Sequence, residues 1–166
     1  MILAGLGGPL FAQKIAYANL ELVLAYLPET QQVGKQLQEI QAQKAQKLQI
    51  KRNYFDSKYQ EYQEAAQVPG VSEESLLPLQ QELQKLQREM QQETAKAEQE
   101  IARKQADLMA PILQKVEAEI KNIAVEKGYT YVLNSSASGS SIVLHGNEAD
   151  EISKLLLSRF GVTIDN

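Results

Sequence analysis

The spacing of apolar residues predicts two long helices in the centre of the chain. Between residues 30 and 67, apolar side chains recur at the spacing of one helix face, with Gly34 as the one glycine and no proline. This series is interrupted at Lys44, where an apolar residue is expected, which predicts a looser helix contact there. A second series runs from 79 to 123, and Pro111 within it is expected to kink the helix because proline removes a backbone donor.

A turn signal and the length of these helices together predict a hairpin. Pro69 and Gly70 form the strongest turn signal in the chain, and Ser75 is the expected N-cap of the second helix. At about 1.5 Å per residue the helices measure roughly 55 and 80 Å, too long to pack inside a small globule. We therefore predict an antiparallel arm over residues 30–127, with its turn at 67–75, that projects into solvent.

Strand-like segments flank this hairpin. They share alternating side chains and β-favouring residues, and they lie at 14–20, 129–134 and 141–145. The last two are separated by a serine-rich loop and suit a β-hairpin. Three strands are too few to be stable alone, so other copies of the chain are expected to cover their exposed face and edges.

Two short helices complete a predicted β-rich body. One covers residues 21–26, and the other is an amphipathic closing helix over 150–160. The body comprises residues 14–29 and 128–166. The predicted fold class is α+β, with a long antiparallel coiled-coil hairpin on a small β body that associates with other copies of the chain.

Composition removes several classes of functional site. The chain has no cysteine and a single histidine, His145, so thiolate zinc sites, cysteine nucleophiles and Ser-His-Asp catalysis lack their residues. We expect no enzyme, no metal site and no cofactor. The net charge of −4 does not favour a nucleic-acid partner. All but one of the glutamines lie between Gln31 and Gln114, which fits the exposed faces of the predicted arm.

The start of the chain is apolar and uncharged. Residues 1–12 contain small residues and Pro9 before Ala12, a pattern typical of the end of a secretory signal. The run lacks a preceding Lys or Arg and is short, so the true signal is expected to begin upstream. We interpret residues 1–13 as a signal remnant; the alternative is an apolar N terminus retained in a cytosolic protein.

Six segments in a fixed order resemble those of a known family. They are the signal remnant, KIAYAN from Lys14, Gly34-Lys35 at the start of the Gln-rich hairpin, Pro111-Ile-Leu, EKGYTYVLN ending at Asn134, and Asp150-Glu-Ile before the closing helix. In this order the chain resembles the Skp (OmpH) family of periplasmic chaperones over essentially its whole mature length.

The resemblance implies a homotrimer whose strands form a central body and whose hairpins surround a cavity. It also implies an ATP-independent holdase that keeps unfolded outer-membrane β-barrel proteins soluble in the periplasm. The best-known members are strongly basic, with arms whose positive charge attracts acidic clients or lipopolysaccharide. Here residues 54–75 contain five acidic residues and one basic residue, Lys58, which argues against lipopolysaccharide or membrane contact.

Four of the ten aromatic residues lie within nine positions near the predicted turn. They are Tyr54, Phe55, Tyr59 and Tyr62. These rings can fill the contact between the two helices, but a thin hairpin cannot bury all four. We predict that these aromatic residues, with Leu76 and Leu77 across the turn, bind apolar segments of unfolded clients.

Two further groups of residues receive a predicted role. A cationic group on the first helix is either an ordinary solvated face or a weak attraction for acidic clients: Lys44, Lys47, Lys51 and Arg52. The expected trimer contacts are the apolar and aromatic residues of the strands: Ile15, Tyr17, Tyr131, Leu133, Ile142 and Leu144.

Two other functions share parts of this pattern. A structural coiled-coil scaffold or spacer of the cell envelope would have the same hairpin but a polar surface without affinity for unfolded chains. A cytosolic prefoldin-like subunit also combines coiled-coil arms with strands. That fold usually places its strands between the helices, whereas here they flank the hairpin.

Overall fold

A computed structural model describes residues 13–136 and 142–164 of the chain. All of the predicted signal remnant except Gln13 lies outside these residues. The described elements in chain order are strand β1 (Ile15–Ala18), helices α1 (Leu20–Tyr26), α2 (Pro28–Ala66) and α3 (Glu73–Lys127), strand β2 (Tyr131–Asn134), a 3₁₀ turn (Glu148–Asp150) and helix α4 (Ser153–Arg159). The predicted α+β class with a long helical hairpin is confirmed. None of the described helices has an apolar stretch long enough to cross a bilayer.

The chain divides into two compact units. The arm is Gln32–Met109, and the body contains the described residues up to Gln31 and from Ala110 onward. The sequence predicted the second boundary at residues 127 and 128. The body instead includes the last part of α3, because Ile112 and Val116 are buried there, at 5% and 2% exposure.

Local signals set the ends of the long helices. Pro28 is the first residue of α2, a position where its missing N–H costs no helical hydrogen bond. The N-cap of α3 is Ser72, whose Oγ accepts from Ser75 N at 3.3 Å, so the prediction of Ser75 as N-cap was wrong. Helix α3 continues through Pro111 and ends where Gly128 adopts a φ of 71°, which the left-handed C-cap favours.

Strand β1 is the central strand of the body. It pairs in parallel with β2, with Ile15 opposite Tyr131 and Ala18 opposite Asn134. On the other side of β1, Tyr17 forms a parallel bridge with Glu151. The Tyr17 carbonyl oxygen accepts a hydrogen bond from Ile152 N at 2.9 Å. The whole hairpin lies between these two strands and supplies the long connection that parallel pairing needs.

The predicted third strand is not formed by the described residues 142–145, and they make no β-hairpin with β2. Residue 141 lies outside the described residues. Gly146, the residue that follows this segment, lies so close to the ring of Tyr17 that a Cβ there would overlap it. The Asn147 side chain then accepts from Ala149 N at 3.1 Å and caps the 3₁₀ turn. Alternating apolar residues alone were therefore insufficient to make a strand here.

The core of the body lies on one face of this sheet. Ala16 and Ala18 point into it, at 0% and 1% exposure. Helix α1 packs against α4, and the largest fully buried apolar side chains come from the helices and their ends: Val23, Leu27, Ile123, Leu156 and Leu157. Each such side chain contributes about 1.5–3 kcal/mol on burial. The buried hydroxyl of Ser153 accepts from Asn19 N at 2.7 Å, so its burial leaves no unsatisfied polar group.

Replacing Gly146 with alanine is expected to destabilise the body. The new Cβ would overlap the ring of Tyr17, which must move. We expect a loss of about 1–3 kcal/mol in the free energy of unfolding by urea, a typical cost of overpacking. The matched control is Gly34→Ala, where nothing lies within 4 Å and the helix should gain up to about 1 kcal/mol. Equal effects at the two glycines would contradict the packing described.

Tyr129 is expected to make stability depend on alkaline pH. Burial, and then the hydrogen bond that its hydroxyl donates to Asp150 Oδ1 at 3.0 Å, raise the pKa of Tyr129 above its usual 10.0. As the pH rises past about 10, the unfolded chain loses this proton before the folded chain does, so stability falls. The Tyr129→Phe protein has no hydroxyl proton to lose at this position, so its stability does not fall for this reason. The difference in unfolding free energy between the two proteins, about 1 kcal/mol at neutral pH, should shrink above pH 10; a constant difference would contradict the assignment.

Candidate binding surfaces

A ladder of ion pairs joins the two helices of the arm. Three lysines spaced seven residues apart on α2 pair with glutamates on α3: Lys44 with Glu100, Lys51 with Glu89 at 3.4 Å, and Lys58 with Glu82 at 3.8 Å. The partner number falls as the lysine number rises, as it must in an antiparallel pair. Seven-residue spacing places the lysines on one side of the helix, so the sequence contained a signal for this ladder that the search for apolar residues missed.

The ladder changes the interpretation of the predicted cationic group. The ammonium groups of Lys44 and Lys51 are paired with glutamates within the arm. Lys44 lowers the pKa of Glu100 through its hydrogen bond and its charge. Lys47 and Arg52 are exposed, and neither makes an ion pair among the described residues. The part of this group that remains open to a client is therefore reduced to Lys47 and Arg52.

Few side chains are fully buried between the helices of the arm. The buried apolar residues of this unit are exposed by 6–9%: Val33, Leu76, Leu86 and Ala97. Lys44 occupies the predicted interruption of the apolar series, and its side chain is 23% exposed. A polar pair at such a position specifies the register of two helices but stabilises them less than an apolar contact does.

Phe55 and Tyr59 form a continuous aromatic surface on the arm. Their rings are nearly parallel, with an interplanar angle of 6° and centroids 6.4 Å apart. The two residues are four positions apart and so lie on the same side of α2. Tyr59 is 46% exposed and Phe55 is half-buried, which leaves apolar ring surface open to solvent. Such surface can pack against apolar side chains without requiring a fixed geometry.

Tyr54 and Tyr62, the other two predicted aromatic residues, connect the helices through hydrogen bonds of their hydroxyl groups. The Tyr54 hydroxyl donates to Glu82 Oε1 at 2.9 Å, and this bond is the main reason why the pKa of Tyr54 is raised. The Lys58 ammonium lies 6.0 Å from the centre of the Tyr54 ring, which is 47% exposed. The Tyr62 hydroxyl accepts from Gln80 Nε2 at 3.1 Å. Tyr54 is therefore half exposed, while its hydroxyl binds α3.

The two leucines after the turn differ in exposure. Leu76 is buried, at 8%, and is no longer a candidate for client contact. Leu77 is 45% exposed and remains one. This difference in exposure follows from helical geometry, since adjacent residues on a helix point about 100° apart.

The body presents a second apolar surface, on the face of the sheet opposite its core. The strand register places Ile15 beside Tyr131 and Tyr17 beside Leu133, so the structure brings these four predicted trimer contacts together. Leu133 is 39% exposed and Tyr131 is 53% exposed. A groove of about 280 Å³ on this face is also lined by Val143 and His145. We call these four strand residues the sheet face.

The remaining predicted trimer contacts are still more exposed. Ile142 is 70% and Leu144 is 93% exposed in the isolated chain. Apolar side chains in contiguous exposed patches usually mark interaction surfaces. Among the described residues, no group of three or more His, Asp or Glu side chains is placed to hold a metal ion.

Known proteins resemble this chain over most of its length. Residues 14–160 match the family described as "Outer membrane protein (OmpH-like)". The chaperone protein Skp of Pectobacterium atrosepticum is 26% identical over 137 residues, which are 82% of each chain. A crystal structure of an OmpH-like protein from Caulobacter crescentus CB15 covers 100% of this chain and 95% of its own, with a TM-score of 0.73 and 14% identity, and shares the fold.

Replacing Lys44 with leucine is expected to stabilise the arm. An apolar side chain at this half-buried position continues the apolar series, and Glu100, which is 60% exposed, can be solvated by water. We expect the free energy of unfolding by urea to rise by about 1 kcal/mol. Lys47→Leu is the matched control because Lys47 is exposed on the same helix, and it should change stability little. A Lys44→Leu protein less stable than the control would show that the ion pair, not packing, dominates here.

Proposed function

This chain belongs to the OmpH-like (Skp) family of outer membrane chaperones, and we propose from this premise that it is an ATP-independent holdase for unfolded outer-membrane β-barrel proteins. Chaperones are not a class of enzyme, and no catalytic residue is assigned. The observation that carries the proposal is the exposed aromatic surface of Phe55 and Tyr59, beside the half-exposed Tyr54. An ordinary structural coiled coil has no need to keep stacked rings in contact with water.

The proposed mechanism uses weak contacts in large number. Each aromatic contact contributes about 0.5–1.5 kcal/mol beyond simple burial, so a client held by a few of them can exchange between positions. A bound client is kept from pairing its strands with other clients. Release needs no nucleotide, because a tighter acceptor removes the client from the binding equilibrium.

We propose that the sheet face, with Ile142 and Leu144, is covered by two other copies of this chain in a homotrimer. The support is the combination of exposed Leu133, Tyr131 and Leu144 with the sheet of the described residues, whose two strands are too few to be stable without further packing. Bound clients would then contact the arms of three copies, which raises the effective concentration of binding surface.

We also propose that the protein acts in the periplasm. The support is the signal-like composition of residues 1–13 and the family of outer membrane chaperones to which the chain belongs. Lipopolysaccharide is not proposed as a ligand, because the turn region of the arm is acidic.

The aromatic surface is tested by Phe55→Ser combined with Tyr59→Ser. The protein is mixed with a urea-denatured outer-membrane β-barrel protein on dilution, and aggregation is followed by light scattering while client affinity is measured by fluorescence. Loss of two rings should weaken binding roughly tenfold or more. The matched control is Tyr26→Ser in the body, since Tyr26 and Tyr59 are both 46% exposed.

The results for the double variant and for the unchanged protein test different parts of the proposal. The mass of the double variant in solution must equal that of the unchanged protein, so that weaker binding cannot come from altered assembly. Unchanged affinity in the double variant refutes the role of Phe55 and Tyr59 alone. If the unchanged protein fails to prevent aggregation, the holdase proposal is wrong and the structural scaffold of the cell envelope becomes the better account.

A further inference from the structure

A groove lies beside the helix contact of the arm, on the side away from the ion-pair ladder. Its volume is about 350 Å³, and residues of both α2 and α3 line it. Its apolar lining comes mainly from Leu48 and Met90, which are half-buried. Thr94, at its edge, points about 140° away from the ladder residue Glu89, five positions earlier on α3. The ion pairs therefore leave the groove open.

The groove continues into the aromatic surface along α2. Steps of four, three and four residues lead from Leu48 through Arg52 and Phe55 to Tyr59, so these side chains lie on the same side of the helix. Ala45, at the other end of the groove, is fourteen residues before Tyr59, which is about 21 Å along the helix axis. We call this continuous surface the apolar track: Ala45, Leu48, Arg52, Phe55 and Tyr59 of α2, with Met90 of α3.

The two rings of the apolar track offer contacts at a spacing that an extended chain matches. The centroids of Phe55 and Tyr59 are 6.4 Å apart. In an extended segment every second side chain points to the same side, about 6.4–6.8 Å from the previous one. Side chains i and i+2 of such a segment can therefore each contact one ring. Seven extended residues span about 20 Å, close to the length of the apolar track.

Arg52 places a positive charge within the apolar track, between the groove and the rings. Its side chain is exposed and makes no ion pair among the described residues, although Asp56 lies four positions later on the same helix. A segment that occupies both the groove and the rings must pass this guanidinium group. Guanidinium groups bind carboxylates through two parallel hydrogen bonds. The client group that complements this position is therefore an acidic side chain.

We propose that the apolar track binds one extended client segment of about seven residues, in which an acidic side chain is flanked by apolar side chains at alternate positions. The first apolar side chain enters the groove beside Met90, and the acidic side chain pairs with Arg52. The last two apolar side chains pack on Phe55 and Tyr59. This inference rests on the holdase proposal and names the kind of segment that is bound. It differs from a general attraction of acidic clients, because one cation fixes where the acidic residue lies.

The test uses two fluorescently labelled seven-residue peptides, with fluorescence anisotropy on the full chain as the readout. Both have leucine at the first, fifth and seventh positions and serine elsewhere, except that the third position is glutamate in one and glutamine in the other. Arg52→Gln should weaken binding of the glutamate peptide roughly threefold, as expected for one exposed ion pair, and should not change binding of the glutamine peptide.

The matched control is Lys47→Gln. Lys47 is also exposed without an ion pair among the described residues, but it points about 140° away from Arg52 around α2. This variant has the same net charge as Arg52→Gln and should bind both peptides like the unchanged protein. Equal weakening by the two variants would show a general charge effect and overturn the proposal. Unchanged binding of the glutamate peptide by the Arg52→Gln protein would also overturn it.

A third peptide tests the extended arrangement. It has the composition of the glutamate peptide, but its three leucines are consecutive and so point alternately to opposite sides of an extended chain. It should bind more weakly than the glutamate peptide, because fewer leucines reach the apolar track at once. Equal affinity for these two peptides would contradict the proposal, and so would unchanged binding of the glutamate peptide by the Phe55→Ser and Tyr59→Ser protein.

Failure of this inference and failure of the holdase proposal give different results. An unchanged protein that prevents aggregation of the denatured β-barrel protein, but binds all three peptides equally, is a holdase without this segment preference, and only the inference is wrong. An unchanged protein that neither prevents aggregation nor binds the peptides contradicts both.

Discussion

The pairing of β1 with two distant parts of the chain is the constraint on which the body depends. β1 pairs in parallel with β2 on one side and bridges Glu151 on the other, so a four-residue strand holds together segments separated by the entire hairpin. Parallel strands need a crossover connection, and here the hairpin is that connection. The alternation along β1 then decides the two faces: Ala16 and Ala18 enter the core, and Ile15 and Tyr17 point to the opposite face.

The arm is stabilised differently from the body, because two helices alone can bury few side chains. Its contact combines a short list of buried apolar residues with the ladder of Lys44, Lys51 and Lys58. Charge in this unit therefore serves first to hold the helices in register. Tyr54 contributes to the same contact through its hydroxyl, while its ring and the stacked Phe55 and Tyr59 remain open to solvent. Structure and proposed binding thus use different atoms of neighbouring residues.

Periodicity predicted the long helices and their turn because each extends over many repeats, so one irregular position such as Lys44 does not erase the pattern. Shorter features were less predictable. Ile142 and Leu144 alternate like a strand, but a strand also needs a partner, and no ladder forms over the described residues 142–145. The burial of Leu76 beside exposed Leu77, and the pairing of Lys51, depend on which side of one helix faces the other. Composition near the turn could not supply that orientation.

The central claim is that other copies of this chain cover the sheet face. The most direct measurement is the mass in solution, by light scattering or sedimentation, over a range of protein concentrations. A homotrimer has three times the mass of the single chain that is measured, and Leu133→Glu is expected to lower that mass. Leu113→Glu, at a residue of similar exposure on α3, should leave the mass unchanged. A stable monomer of the unchanged protein, or a Leu133→Glu protein that keeps the full mass, would contradict the account.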